Sequence, residues 1–139
     1  MPKIVASGNE TGMLPQPIVE KVIHLFGSRV PRLLYIGTAT FDCTDKLLRF
    51  TKAFRDLGCE ICCLDVSESD TTPSLEEMRE CGVDWSQEIM CSGGNMLHAL
   101  VRWKEVGLDL LIKEASMSRV SCSQASTSQP SCSSQSVLM

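Results

Sequence analysis

The feature that most constrains this chain is a repeated alternation of short apolar runs with amphipathic segments over residues 1–115. Four apolar runs predict buried strands because each is short, continuous and closed by polar or glycine residues. They are Lys3 to Ala6, Leu33 to Ile36, Glu60 to Asp65, and Glu88 to Cys91. The strands do not alternate polar with apolar residues, which is typical of strands covered on both faces.

The segments between these strands have the apolar spacing of helices. The predicted helices are Ile18 to Phe26, Thr44 to Leu57, a short one from Ser74 closed by Gly82, Asn95 to Glu105, and Leu108 to Ala115. Parallel strands need crossover connections of about a dozen residues or more, usually helical. The pattern therefore predicts an α/β protein with a three-layer parallel sheet and flanking helices.

Composition divides the chain into two parts. Hydrophobic residues at 43% and charged residues at 22% of the 139 residues are close to globular averages, so residues 1–115 predict one partial α/β domain. From 116 to 139 the only charged residue is Arg119, and eight of the sixteen residues from 121 to 136 are serine. Such a segment offers too little apolar surface to offset chain entropy, which predicts a Ser-rich disordered tail over 116–139.

Charge and hydropathy exclude several classes of partner. The net charge of −4, without a basic stripe, argues against nucleic-acid binding. No apolar stretch approaches the roughly 20 residues of a membrane span or forms a signal peptide, so we expect a cytoplasmic protein. Cys59 and Cys62 form one C-x-x-C, which leaves zinc or redox chemistry open. Because a zinc site needs a second ligand pair, structural thiols are favoured, and no metal or cofactor is expected.

The carboxyl ends of the predicted strands are where an open parallel sheet binds ligands. The loop with Gly93, Gly94 and Asn95 is the most informative there, because diglycine N–H groups beside a helix N-terminus favour developing negative charge. The alternative is a plain tight turn with Asn95 as N-cap. Asp65 ends a strand and is a candidate site carboxylate without an identifiable partner. His24 and His98 are predicted to be helix-surface or core-edge residues.

Taken together, these stretches resemble the dipeptidase E (aspartyl dipeptidase) family of serine peptidases, relatives of the cyanophycinases. The resemblance covers about residues 3–115 and is carried by PRLLYIGTAT, by the Gly93–Asn95 sequence GGN and by LVRWKEVGLDLLIKEA, which contains W-x-x-x-G-L-D from Trp103 to Asp109. It implies a class I glutamine-amidotransferase-like, flavodoxin-like fold, of which this chain holds the N-terminal half. It also implies serine-dependent hydrolysis of small peptides such as Asp-Xaa dipeptides, with a Gly94 N–H in the oxyanion hole and Gly93 and Asn95 shaping the substrate loop.

The chain departs from that family after Ala115. The family's nucleophile lies in G-x-S-A-G; in register Ser126 falls there, but Gln124 and Ser128 replace the glycines. No histidine follows His98, so the base is missing too. We therefore expect an inactive, truncated form of a serine peptidase. The alternative is a non-catalytic binding or interaction protein built on the same half-sheet, and an open sheet edge predicts self-association.

Overall fold

The fold is organised by a sheet of five parallel strands in the order β1-β5-β4-β2-β3. The computed structural model describes residues 3–5, 15–27, 31–121 and 136–138. The strands are β1 (Lys3–Val5), β2 (Arg32–Ile36), β3 (Glu60–Leu64), β4 (Glu88–Cys91) and β5 (Ser136–Leu138). β2 pairs with both β3 and β4, which places their carboxyl ends side by side at one edge of the sheet.

Helices connect these strands as the amphipathic segments predict. They are α1 (Gln16–Phe26), α2 (Thr44–Asp56), α3 (Leu75–Glu77), α4 (Met96–Val106) and α5 (Leu108–Ser121). A π-helix (Met78–Asp84) continues α3, and single 3-10 turns follow β2 (Thr38–Thr40) and β3 (Ser69–Thr71). The helix boundaries agree with the predicted ones to within two residues for α1, α2 and α4.

Two apolar cores lie on opposite faces of the sheet, which accounts for the continuously apolar strands. On one face, Leu33 and Tyr35 pack with Val19 of α1 and Phe54 of α2. On the other face, alternate β2 residues pack with α4, α5 and the π-helix; this core includes Leu34, Ile36, Ile89, Trp103 and Leu108. Because side chains alternate across a strand, neighbouring residues of β2 enter different cores. The predicted three-layer α/β architecture is confirmed.

The predicted end of the short helix from Ser74 is wrong. Gly82 does not close it; the backbone passes through Gly82 as the π-helix and reaches Asp84. Gly82 is buried, and a Cβ there would lie 3.2 Å from a methyl carbon of Leu64. The glycine thus permits close packing of the π-helix against β3, a role that a sequence pattern does not distinguish from a helix stop.

The segment predicted as a tail from residue 116 is structured at both of its ends where the structure describes it. α5 goes on six residues past Ala115, to Ser121. Ser136–Leu138 forms β5, paired with β1 on one side and β4 on the other. Residues 122–135 and 139 lie outside the described residues, so disorder there stays a prediction.

Glu88 is the least expected member of the core. It begins β4, its side chain is fully buried, and neither carboxylate oxygen has a hydrogen-bond partner among the described residues. Burial without a partner disfavours the charged form. It raises the pKa of Glu88 to about 8, so this carboxyl is mostly protonated at neutral pH.

Within the part of the chain that the structure describes, no helix is long and apolar enough to cross a bilayer.

Candidate functional site

Three loops meet at the carboxyl edge of the sheet. The first follows β2 and contains the Thr38–Thr40 turn, the second follows β3 from Asp65, and the third is Ser92 to Asn95 after β4. Their strands are neighbours in the order β4-β2-β3, so the loops are adjacent in space. This edge is where open α/β sheets bind ligands, and it holds Asp65 and the Gly93–Asn95 loop, which the sequence singled out.

The glycine loop after β4 is fixed against the loop after β2. The Asn95 N–H donates to the carbonyl oxygen of Ala39 at 2.8 Å. Gly94 has φ +139°, and a Cβ there would lie 2.4 Å from that same oxygen. Gly93 faces open space, with nothing within 4 Å of a Cβ built on it. Gly94 is therefore required by both its backbone conformation and its close approach to Ala39, while Gly93 is not.

The N–H groups of Gly93 and Gly94 are available to a ligand. Within the described ranges, neither donates a hydrogen bond. They stand just before the N-terminus of α4, where the helix dipole favours negative charge. Asn95 caps that helix, since its Oδ1 accepts from the His98 N–H at 3.1 Å, and the predicted N-cap is confirmed. The two free N–H groups are suited to an oxyanion or a carboxylate.

The Thr38–Thr40 turn is hydrogen-bonded to the loop after β3, to the glycine loop after β4 and to α4. The buried Trp103 indole donates to the Thr38 hydroxyl at 2.8 Å, and the Ser67 hydroxyl donates to the Thr38 carbonyl at 3.2 Å. The N–H of Ser92 donates to the Ile36 carbonyl at 3.1 Å, which extends the β2–β4 pairing into the glycine loop. Buried hydrogen bonds of this kind hold the site backbone in one arrangement.

The end of the β2 loop has an unusual backbone. Phe41 and Asp42 are successive non-glycine residues with left-handed conformations, φ 55° and φ 51°. Their N–H groups donate to the carbonyls of Thr38 and Gly37, both at 3.0 Å. Asp42 Oδ2 also accepts from the Ser67 N–H at 2.7 Å. The Phe41 side chain nevertheless stays 59% exposed, and its ring centroid lies 4.6 Å from that of His98.

Asp65, the candidate carboxylate, lies beside Asp42 at this edge. Its pKa is raised, chiefly by partial burial and further by the charge of Asp42. Burial likewise raises the pKa of Tyr35, an effect that the hydroxyls of Ser92 and Thr40 partly offset. The local carboxylates make this side of the edge a poor environment for another anion.

The cysteines do not form a metal site where the chain is described. No group of three or more His, Cys, Asp or Glu there could hold an ion. Cys59 is buried and Cys62 half-buried, and both are free thiols. Burial raises the pKa of both, that of Cys59 to about 11, which keeps these thiols protonated.

The predicted site residues are brought together only in part. Gly93, Gly94 and Asn95 form one loop at the expected edge, whereas Ser126 lies outside the described residues. His24 is exposed on α1, and His98 is half-buried in the first turn of α4. No local sequence pattern indicates the contact of His98 with Phe41, because 57 positions separate them in the chain.

The carboxyl edge of this open parallel α/β sheet thus presents two backbone N–H groups, those of Gly93 and Gly94, that donate no hydrogen bond within the described ranges. The model of peptidase family S51 matches residues 4–123. The chain therefore belongs to peptidase family S51, which confirms the family that the sequence resembles.

Two relatives are longer than this chain, which spans about a third of one and a little over half of the other. An uncharacterized peptidase of Bacillus subtilis (strain 168), YgaJ, is 33% identical over 85 residues, which are 61% of this chain and 35% of that protein. A crystal structure from Listeria monocytogenes EGD-e, described as a candidate peptidase E, has a TM-score of 0.66 at 19% identity. That match covers 99% of this chain and 57% of the other, and it shows the same fold.

Proposed function

We propose that this chain supplies the oxyanion-binding part of a dipeptidase E-like site for small peptides such as Asp-Xaa dipeptides. The observation that carries the proposal is the pair of N–H groups at Gly93 and Gly94, which donate no hydrogen bond to a described residue and lie on a loop held against the Ala39 carbonyl. A peptide carbonyl oxygen held there becomes negatively charged when the carbonyl carbon is attacked. Membership in peptidase family S51 supports this chemistry.

The physical role of the loop is electrostatic. Preorganised N–H donors stabilise the tetrahedral oxyanion without reorganising at the moment of reaction, and losing one such donor typically costs about 100- to 1,000-fold in rate. Acyl transfer through a serine needs an activated hydroxyl and a base but no metal or cofactor. The proposed site works in the cytoplasm, where the cysteines of the chain stay reduced.

Residues 1–139 alone are proposed to bind peptides without hydrolysing them. The sequence contains no G-x-S-A-G, and Ser126 is flanked by Gln124 and Ser128 where that motif has glycines. No histidine follows His98 in the sequence to act as the family's base. A hydroxyl without an adjacent base is a weak nucleophile at neutral pH.

The test combines binding with turnover. Purified chain 1–139 is titrated with Asp-Ala while backbone amide signals are followed by NMR, and free Asp is measured after long incubation. We expect the Gly93 and Gly94 signals to shift and no Asp to be released above a protein-free blank. Release of Asp would contradict the proposed inactivity. Unshifted glycine amides at millimolar peptide would contradict the proposed site.

A second function, non-catalytic protein binding, is favoured by the outward face of α4. Leu100 and Val101 lie one helical turn after Leu97, on the same side of α4. The exposed fractions are 75% for Leu97, 46% for Leu100 and 49% for Val101. An apolar stripe of this kind is typical of a face that meets another protein surface. An experiment can separate the two functions, because peptide binding requires the amides of Gly93 and Gly94 and protein binding through α4 does not.

A further inference from the structure

We propose that Phe41 and His98 form the surface that recognises the Xaa side chain of a bound dipeptide, and that this surface selects aromatic over small side chains. The inference rests on the proposed peptide site at Gly93 and Gly94 and adds the residues that would select the dipeptide side chain.

The first support is position. Phe41 is two residues from Ala39, whose carbonyl oxygen accepts from the Asn95 N–H, and His98 is one helical turn after Asn95. The aromatic pair therefore borders the glycine loop. A dipeptide whose carbonyl is held by the glycine amides extends only a few ångströms beyond them, so one of its side chains reaches this border.

The second support is the backbone of Phe41. A large residue in the left-handed region is strained, and strain of this kind concentrates at ligand sites. The bonds of Phe41 N–H to the Thr38 carbonyl and of Asp42 Oδ2 to the Ser67 N–H hold the strained turn in place. This arrangement presents the ring to solvent at 59% exposure instead of burying it, which a purely structural phenylalanine would not require.

The third support is the contact between the rings. The planes of Phe41 and His98 are tilted by 31° with centroids 4.6 Å apart, within the range of favourable aromatic pairs. His98 Nε2 is shielded and has no hydrogen-bond partner among the described residues. The pair thus offers an exposed phenyl ring that is supported from behind by the His98 ring.

Side-chain charge favours Xaa over Asp at this face. Asp42 is the next residue after Phe41, and Asp65 lies close enough for the two carboxylates to influence each other. These groups repel the acidic side chain of an N-terminal Asp. An uncharged Xaa side chain avoids this repulsion, and an aromatic one gains stacking with Phe41. The C-terminal carboxylate that Xaa also carries is the same in every Asp-Xaa dipeptide, so it does not alter the comparison between Xaa side chains. We therefore assign the aromatic pair to Xaa.

The experiment compares Asp-Phe with Asp-Ala, which carry the same charges, on the full chain 1–139. Affinities come from NMR titration, and the ring protons of His98 report contact with the ligand. His24, the other histidine of the chain, is the internal control. We expect Asp-Phe to bind about 3- to 10-fold more tightly than Asp-Ala, from the usual strength of an aromatic pair. Its phenyl ring should shift the His98 signals and leave those of His24 unmoved.

Two variants separate recognition from support of the loop. Phe41→Ala should weaken the binding of Asp-Phe but not that of Asp-Ala, so the two affinities should come to within about 2-fold of each other. Leu110→Ala is the matched control, because Leu110 is also 59% exposed but lies on α5. Amide spectra check that both variants keep the native fold.

Each alternative outcome has a distinct meaning. Equal binding of Asp-Phe and Asp-Ala to the parent chain overturns the specificity surface but leaves the glycine site intact. An equal loss of both peptides in Phe41→Ala shows that Phe41 only supports the loop, which also overturns the inference. If neither peptide binds the parent chain, the proposed function fails together with it.

Discussion

Replacement of Gly94 by alanine is the most direct test of how the glycine loop is held. At this position φ is +139°, and the new methyl group would lie 2.4 Å from the Ala39 carbonyl oxygen and 3.0 Å from its carbon. Both neighbours are backbone atoms of the β2 loop and cannot rotate away as a side chain would. Gly93→Ala is the matched control, since its methyl group would meet nothing within 4 Å.

The magnitude follows from two contributions. A side chain forced into this backbone region costs about 1 to 3 kcal/mol. Relief of the clash moves Ala39 away from Asn95 and weakens their 2.8 Å hydrogen bond, a further loss of about 1 kcal/mol. Gly94→Ala should therefore lower the free energy of unfolding by about 2 to 4 kcal/mol, a large part of the roughly 5 to 15 kcal/mol of an ordinary domain.

Urea unfolding followed by far-ultraviolet circular dichroism gives the comparison. With a typical slope of about 2 kcal/mol per molar urea, the midpoint for Gly94→Ala should fall by about 1 to 2 M. Gly93→Ala should stay within about 0.5 kcal/mol of the parent chain, as for an exposed position without special geometry. Equal midpoints for the two variants would refute the argument that Gly94 is fixed by contact with Ala39.

Three further predictions follow from the core, the thiols and the sheet edge. Burial raises the pKa of Glu88 to about 8 from an ordinary value of 4.5, so the native state binds its proton more tightly than the unfolded chain, and stability should fall as pH rises from about 4.5 to 8. Glu88→Leu should remove most of this fall in stability and should stabilise the protein by about 2 to 4 kcal/mol at pH 8.5, as measured by urea titration. The control is Glu60→Leu at an exposed position, which should leave the pH dependence of stability unchanged. Burial raises the pKa of the Cys91 thiol to about 12. Iodoacetamide at pH 8 should therefore label the exposed Cys81 at least about tenfold faster than Cys91, as measured by peptide mass spectrometry. Equal labelling rates would contradict the burial of Cys91. β3 is an edge strand of the sheet and α4 carries an exposed apolar stripe, so sedimentation equilibrium should show concentration-dependent self-association, and a monomer at 100 μM or so would oppose it.

The strand and helix pattern was predictable because its signals are local. Leu33 to Ile36 are uniformly apolar, and the observed β2 uses them for two cores at once. Asn95 was identified as an N-cap from its place before an apolar helical period, and the bond to His98 confirms it. Such features depend on a few neighbouring residues, so the sequence contains what is needed to infer them.

Other features depend on contacts between distant segments, and the sequence pattern misled or was silent there. Gly82 looks like a helix stop, but its purpose is close packing against Leu64 of β3. Nothing near Glu88 in the sequence indicates that its carboxyl is buried without a hydrogen-bond partner among the residues that the structure describes. Phe41 stands alone in a polar loop, and its contact with His98 arises only when β2 and β4 pair.

The Thr38–Thr40 turn is hydrogen-bonded to both of the other loops of the site. These bonds limit how the protein can change in evolution. A 3-10 turn advances one residue for each third of a revolution, so an inserted or deleted residue would redirect the groups that Trp103, Ser67 and Asn95 use. Length variation at this turn would break several bonds at once and should be eliminated by selection. Outward side chains such as Phe41 carry no such penalty when they are exchanged. New specificities can therefore arise by single substitutions on an unchanged backbone.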